Sequence, residues 1–322
     1  MTRIGPRTLS GGLAACALAA CALAAASTAR ADPDDSVLDA PAPPTLPALA
    51  HRELVLSTEN TVAAIEPAVR PAHGDGRAVT WQLHAALEAP LARRTWYLGL
   101  AQDVATAALP GVGRAMLAGN PEIWGRGLWS SVLGLSSGGT LGIVLPVPRA
   151  LSSVESAALS TLRTVRPWDV AYFLDTTLTF RPSYDIRHVV GGFIVQLRQG
   201  VDVSIPLKRE AAPTPFLPAA AQNPIDLTAR ATLYLGYRLL PAIGVGLEVW
   251  EVYQITADVP DDKRAAFAIS PSVRFLFARV QPALSLLVPI ATPLRGEVES
   301  YVAGRLHVDF AFDIGHGRAG DR

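Results

Sequence analysis

After residue 53, apolar and polar residues alternate with a period of two along most of the chain. In Phe193–Leu207, one face carries Phe193, Val195, Leu197, Val201, Val203, Ile205 and Leu207, with Gln199 as its polar exception. The other face carries Ile194, Gln196, Arg198, Gly200, Asp202, Ser204 and Pro206. The same two-sided pattern separates Val79, Trp81, Leu83, Ala85 and Leu87 from Thr80, Gln82, His84 and Glu88. It also separates Val302, Leu306, Val308, Phe310 and Phe312 from Arg305, His307 and Asp309. A period of two is the signature of a strand. About twelve strands are predicted, near 54–69, 78–91, 94–107, 121–133, 138–148, 168–182, 187–207, 226–240, 242–256, 265–278, 280–291 and 301–314. In the first, the apolar positions slip from Leu54/Leu56 to Thr61/Ala63/Ile65.

The connections add independent information. Long ones, such as ALSSVESAALSTLRTVR and KREAAPTPFLPAAAQNP, follow the odd strands, and short ones, such as ARR, SYDI and LP, follow the even strands. An antiparallel up-and-down barrel in the outer membrane, with both termini periplasmic, predicts this alternation; a soluble sandwich does not require it. The polar face is also too poor in charge for a soluble exterior but suits a lumen. Closing the sheet leaves no strand edge unpaired in hydrocarbon. The fold class expected is therefore all-β, a transmembrane barrel over residues 53–314. Its expected partners are the outer-membrane bilayer and small-molecule solutes, and its oligomeric state is open.

Composition narrows the alternatives. The 322 residues are half hydrophobic and have a formal net charge of zero, so no basic footprint for nucleic acid is present. Residues 1–31 read as an export signal: Arg3 and Arg7 precede an apolar run that ends at Ala29-Arg30-Ala31. LAAC, ending at Cys16 and again at Cys21, offers lipoprotein processing as the alternative. Both cysteines lie in this segment, so cleavage after Ala31 leaves no thiol chemistry. Residues 32–52 are Pro/Ala-rich and read as a linker, and 315–322 as a tail.

Strand parity points Arg126, Arg181, Arg198, Arg230, Arg238, Arg274 and Arg305 inward, together with Glu88, Asp103, Glu122, Asp175, Asp202, Glu248, Asp309 and Asp313. A selective pore carries one sign of charge. Here the signs balance, which favours ion pairs bracing the wall over a selectivity element. Phe173, Tyr234 and Trp250 share the inward parity, whereas Glu251 takes the outward one, as a rim position or a bulge would allow.

No catalytic, metal or cofactor residues are assigned. GLSSG (Gly134–Gly138) has the form of a nucleophile elbow, but GTLGIVLPVP after it reads as a strand rather than the required helix, so a hairpin turn is expected. His84 and His307 lie within strands, and a serine beside His307 would point to an outer-membrane hydrolase. An exported, partner-binding β-protein is the third reading. In Gly119–Pro148, the sequence GNPEIWGRGLWSS…GGTLGIVLPVP resembles the outer-membrane channel family named after the meta-pathway of phenol degradation. The matching positions are Gly119, Glu122, Gly125, Arg126, Leu145 and Pro146. Asn120 stands where that family has Asp, and Val147-Pro148 where it has Thr-Gly. The resemblance implies a passive channel for small hydrophobic molecules.

Overall fold

The computed structural model describes residues 54–67, 76–91, 96–130, 135–148, 151–207, 225–256, 264–291 and 298–312. The signal segment, the linker, the tail and Asp313 lie outside the described residues. The strands are β1 (Leu54–Pro67), β2 (Ala78–Pro90), β3 (Trp96–Leu109), β4 (Gly113–Ala118), β5 (Glu122–Ser130), β6 (Leu135–Val144), β7 (Thr177–Val190), β8 (Phe193–Pro206), β9 (Asp226–Leu240), β10 (Ile243–Gln254), β11 (Ala265–Phe275), β12 (Val280–Pro289) and β13 (Val298–Phe312). Sequence neighbours pair antiparallel, and β1 pairs with β13, which closes the sheet into a barrel. β4 lies on Val104–Leu109 of β3 and β5 on Trp96–Ala101 of the same strand. Together they form one wall position broken at Gly119–Pro121, which makes the barrel twelve-stranded.

Three sequence expectations change. β4 occupies what read as loop. The turn expected at SYDI lies inside β7, and the hairpin turns instead at Gly191-Gly192, where Gly191 has φ 57°. Pro182 lies within β7 although it has no N–H to donate. The β7–β8 ladder does skip Arg181 and Pro182, but the register on either side is the same. Finally, the expected strand at 168–182 begins only at Thr177. Before it come helix α1 (Ser153–Val165) and a 3-10 helix (Pro167–Phe173) that carries Phe173.

Residues 151–176 form a plug inside the barrel. α1 starts with a reciprocal cap: Glu155 N–H donates to Ser152 Oγ (3.3 Å) and Ser152 N–H to a Glu155 carboxylate oxygen (2.7 Å). Its buried face, Ala158, Leu159, Leu162 and Val165, repeats at helical spacing. Pro167 ends α1 and opens the 3-10 helix. Thr176, at the junction with β7, holds φ 45°, a costly conformation for a β-branched residue.

The plug explains the slipping pattern of β1. That strand is continuous, with Ser57, Glu59, Thr61, Ala63 and Ile65 on one side and Val62 half exposed on the other. Inward residues near the short-turn end are polar. Near the long-loop end they are apolar and small, and they pack on the plug. Ala63, Ile65, Ala78, Val165, Trp168, Trp250, Ala266, Ala268, Leu287 and Tyr301 form one cluster. Ala105, Ala107, Leu117, Val144, Leu159, Leu162 and Phe173 belong to a second. The lumen is therefore not polar throughout, because an apolar helix face needs an apolar wall.

Candidate functional site: the plugged lumen

The turn after α1 and the 3-10 helix bring the plug's polar edge to the middle of the barrel. Arg166 is buried and pairs with Asp169 and, at 3.3 Å, with Glu59 of β1. Arg181 of β7 joins plug to wall. Its Nε donates to Asp202 (3.2 Å), Nη1 to Glu122 (3.2 Å) and Nη2 to the Trp168 carbonyl (2.9 Å), and Asp169 lies 3.7 Å away. The Tyr172 hydroxyl donates to Glu122. Trp168 stacks on Trp250 at a centroid separation of 4.4 Å.

At the break between β4 and β5, the fully buried Asn120 clamps the end of the plug. Its Nδ2 donates to the carbonyls of Leu174 (2.7 Å) and Ala171 (3.3 Å), and its backbone N–H donates to the Tyr172 carbonyl (2.7 Å). Its Oδ1 accepts from the Val147 N–H at 3.2 Å. A carboxylate could not donate to two carbonyls, which accounts for Asn at a position where the resembling family has Asp.

Each remaining wall arginine of the expected set except Arg238 also meets an acid. Arg126 pairs with Glu88, which also accepts from Trp124 Nε1 (3.0 Å). Arg198 grips Asp185 through two nitrogens (2.6 and 3.2 Å). Arg230 meets Asp202 (2.8 Å), Arg305 meets Glu248 (2.9 Å) and Arg274 meets Asp309 (2.9 Å). His84 is 2.5 Å from Asp103. Between the plug and this layer lies a cavity of about 180 Å³, whose lining includes Trp124, Trp168, Tyr172 and Trp250.

Two residues of the expected set do not face the lumen from a wall strand. Asp175 sits in the turn before β7. Arg238 has the inward parity but lies exposed near the end of β9, at the rim. Glu251 faces outward without a bulge, because the β9–β10 irregularity is at Ile243/Gly244. Glu59, Arg166, Asp169 and Asp185 belong to the site and carried no sequence assignment. The capping signature Ser152-x-x-Glu155, followed by apolar residues at helical spacing, was the available signal for the plug.

Among the described histidines, His84 and His307 are each held by a carboxylate. Ser57 does stand beside His307, but its hydroxyl donates to Asp309 (2.6 Å), and His307 Nε2 is bound to the same carboxylate oxygen (2.8 Å). The serine hydroxyl is thus committed to the carboxylate, where a nucleophile would hydrogen-bond to its general base. Leu135–Gly138 of GLSSG lie on strand β6, which runs on to Val144 where an elbow would need a helix.

Outside, the wall exposes Val62, Leu98, Leu100, Ile123, Leu141, Leu284 and Val302. Trp96 lies over Gly127, where an added Cβ would come within 3.2 Å of the ring. A closed sheet with an apolar exterior and paired charges inside is built for a bilayer. The chain is an outer-membrane β-barrel. No family model and no curated protein matches the sequence. Among solved structures, an outer-membrane channel from Pseudomonas putida F1 shares the fold, with TM-score 0.55 and 11% identity over 88% of this chain and 100% of that one. The β domain of the Bordetella autotransporter BrkA aligns with TM-score 0.46 and 11% identity, over 81% of this chain and 99% of that one. The TodX monoaromatic hydrocarbon channel aligns with TM-score 0.40 and 8% identity, over 81% and 90%.

The bilayer setting gives a direct test of the faces. Val201 is outward and Ser204 buried inward on the same strand. Val201→Arg is expected to destabilise the barrel by about 2–4 kcal/mol if its Cα is near the midplane, and by less toward an interface. Ser204→Arg is expected to cost less. Folding yields in lipid vesicles report the difference, and a reversed order would mean that the faces are exchanged.

The plug's ionisable groups set a pH expectation. Burial pushes the Asp169 carboxyl up, but Arg166 and Arg181 outweigh it and hold it below the usual carboxylate range. Burial opposes the charge of Arg166, yet Asp169 and Glu59 hold its guanidinium above its ordinary value. Burial, with Glu122 beside it, pushes the Tyr172 phenol well up, so it stays a donor. A depressed carboxyl contributes stability that is present above its unfolded value and is lost as pH falls through its folded value. Plug docking through Asp169 should therefore hold from neutrality down to about pH 4 and weaken below. Single-channel noise recorded from pH 7 to 3 checks this, and loosening between 7 and 5 would implicate a histidine instead.

Proposed function

We propose that this barrel is a passive outer-membrane channel for small molecules with apolar parts, held closed here by residues 151–176. One observation carries the reading: the lumen is blocked by an inserted segment rather than by the wall alone. That segment packs on the wall through two apolar clusters, is latched by polar contacts around Arg166, Arg181 and Asn120, and leaves a cavity behind it. The strained Thr176 at its junction supports a plug that can leave, since withdrawal would release that backbone. The aromatic and small apolar surfaces that α1 now covers would then line part of the path, and they support solutes with apolar character. The inward charges, paired at almost every arginine, support weak ion selectivity. The outer-membrane channel sharing the fold supports the same reading.

Planar-bilayer recording of the wild type beside a variant with 151–175 replaced by a short Gly/Ser linker tests the proposal. The wild type should show small, brief openings. The plugless barrel should show a larger, steadier and weakly selective conductance, and its vesicles should admit small aromatic solutes faster. A plugless barrel that folds but stays closed would overturn the proposal.

A further inference from the structure

Glu251 is a carboxylate on the lipid-facing side of a regular ladder, and no residue among those described pairs with it. It lies in a row across four strands: Tyr184 of β7 opposite Gln199 of β8, Gln199 opposite Ala231 of β9, and Ala231 opposite Glu251 of β10. In the next outward row, Ala229 stands opposite Tyr253. The two rows line a recess of about 590 Å³ in the outer wall. Ala229 and Ala231 make its floor shallow, and Tyr184 and Tyr253, both well exposed, stand as rails. The recess lies in the half of the wall nearer the long loops. β10 runs away from its short turn to end at Gln254, just past Glu251, and Ala229 follows closely on the start of β9 at Asp226. With the short turns periplasmic, this is the outer-leaflet side.

A carboxyl facing hydrocarbon is costly unless something donates to it, and such a residue marks a site by default. The basic side chain bordering the recess, Arg230, is engaged with Asp202. The donor must therefore come from what covers the wall, which is the bilayer. We infer that the recess holds one acyl chain of an outer-leaflet lipid, lying over Ala229 and Ala231 between the tyrosines, with a hydroxyl on that chain donating to Glu251. A neutral hydroxyl fits a position within the wall better than an ammonium group, which would bring a second charge to be desolvated. The long shallow floor matches a chain rather than a compact headgroup. This site is separate from the lumen and does not depend on whether the lumen conducts.

The test is native mass spectrometry of the full chain released from detergent micelles. The probes are two single-chain phospholipids, one tetradecanoyl and one 3-hydroxytetradecanoyl, supplied in equal amounts. The wild type should retain the hydroxylated lipid about tenfold over the other, the ratio expected of one hydrogen bond to a charged acceptor. Glu251→Leu, which puts an apolar side chain toward lipid and should fold, should abolish the preference and keep a chain adduct. Ala231→Phe should remove both adducts, and Ala229→Leu serves as a second filling variant. The heat-dependent gel shift of a folded barrel selects the samples compared. Equal retention of the two lipids by the wild type, retention of neither, a preference surviving in Glu251→Leu, or undiminished adducts in both filling variants would each overturn the inference.

Discussion

Arg181→Ala should produce a barrel that still inserts but unfolds more readily, with a pore that no longer rests closed. Arg181 is buried and spends each guanidinium nitrogen on a different partner: Asp202, Glu122 and the Trp168 carbonyl. Removing it leaves two carboxylates of the wall and one carbonyl of the plug without that donor. Breaking a buried pair on one side costs about 3–5 kcal/mol. The lower end of that range applies here, because the survivors keep other partners: Asp202 has Arg230, and Glu122 has Tyr172. Part of the loss falls on the plug through Trp168, so the defect should also appear as more frequent and longer openings. Arg181→Lys keeps the charge but offers a point donor where a planar fork serves three acceptors, and it should fall between the two. Arg181→Met combined with Glu122→Gln should be milder than Arg181→Ala in stability, since fewer charges are left unmatched. Urea unfolding in lipid vesicles and single-channel recording measure the two effects. Wild-type stability together with a closed pore in Arg181→Ala would remove Arg181 from the latch.

How much of this was legible in the sequence depends on what each feature rests on. The barrel rests on period-two alternation and on the lengths of the connections, both properties of consecutive residues. Parity on β8 was therefore readable: Ile194, Gln196, Asp202 and Ser204 are buried and face in. The partner of Arg198 was not readable, because Asp185 meets it through the β7–β8 register, and a register is fixed by a turn whose place was misread at SYDI. The plug was missed for a related reason. Ala and Leu in 151–165 fit either a loop or a helix until the capping residues are weighed, and Trp168–Phe173 alternates well enough to pass for the start of β7. The apolar upper wall then looked like a fault in β1. Parity turns Ala63 and Ile65 inward, and they are apolar because α1 is there to meet them, a mark in the strand that has meaning only once the helix is placed. Glu251 is the opposite case: the sequence marked it as the exception to its face, and the regular ladder around it shows that no bulge removes the exception.

Asn120→Asp should be the most damaging near-isosteric change in the plug's anchorage. The substitution replaces an amide nitrogen by an oxygen that faces the Leu174 and Ala171 carbonyls in a site with no solvent exposure. Two donated hydrogen bonds become two repulsive contacts, and the backbone groups of Ala171, Leu174 and Val147 around the new carboxylate supply no counter-ion. Burying an unsatisfied charged group costs about 3 kcal/mol or more, so the end of the plug next to β7 should come loose. The pH dependence separates this cause from a simple packing defect. Burial and the two carbonyls would raise the folded pKa of the introduced carboxyl above its unfolded value of about 3.9. A group whose folded pKa is raised favours the folded state below the unfolded value, and that advantage is lost as pH rises through the folded one. The protonated acid can donate to one of the two carbonyls, so Asn120→Asp should be nearly closed at about pH 4.5 and leak increasingly toward about pH 7.5, where the wild type stays closed throughout. Asn120→Ala loses the donors without adding charge, and it should leak to the same degree at both values. Conductance of the three proteins across that range is the measurement. A leak in Asn120→Asp that matches Asn120→Ala at every pH would show that the loss of the donors, and not the buried charge, undoes the clamp.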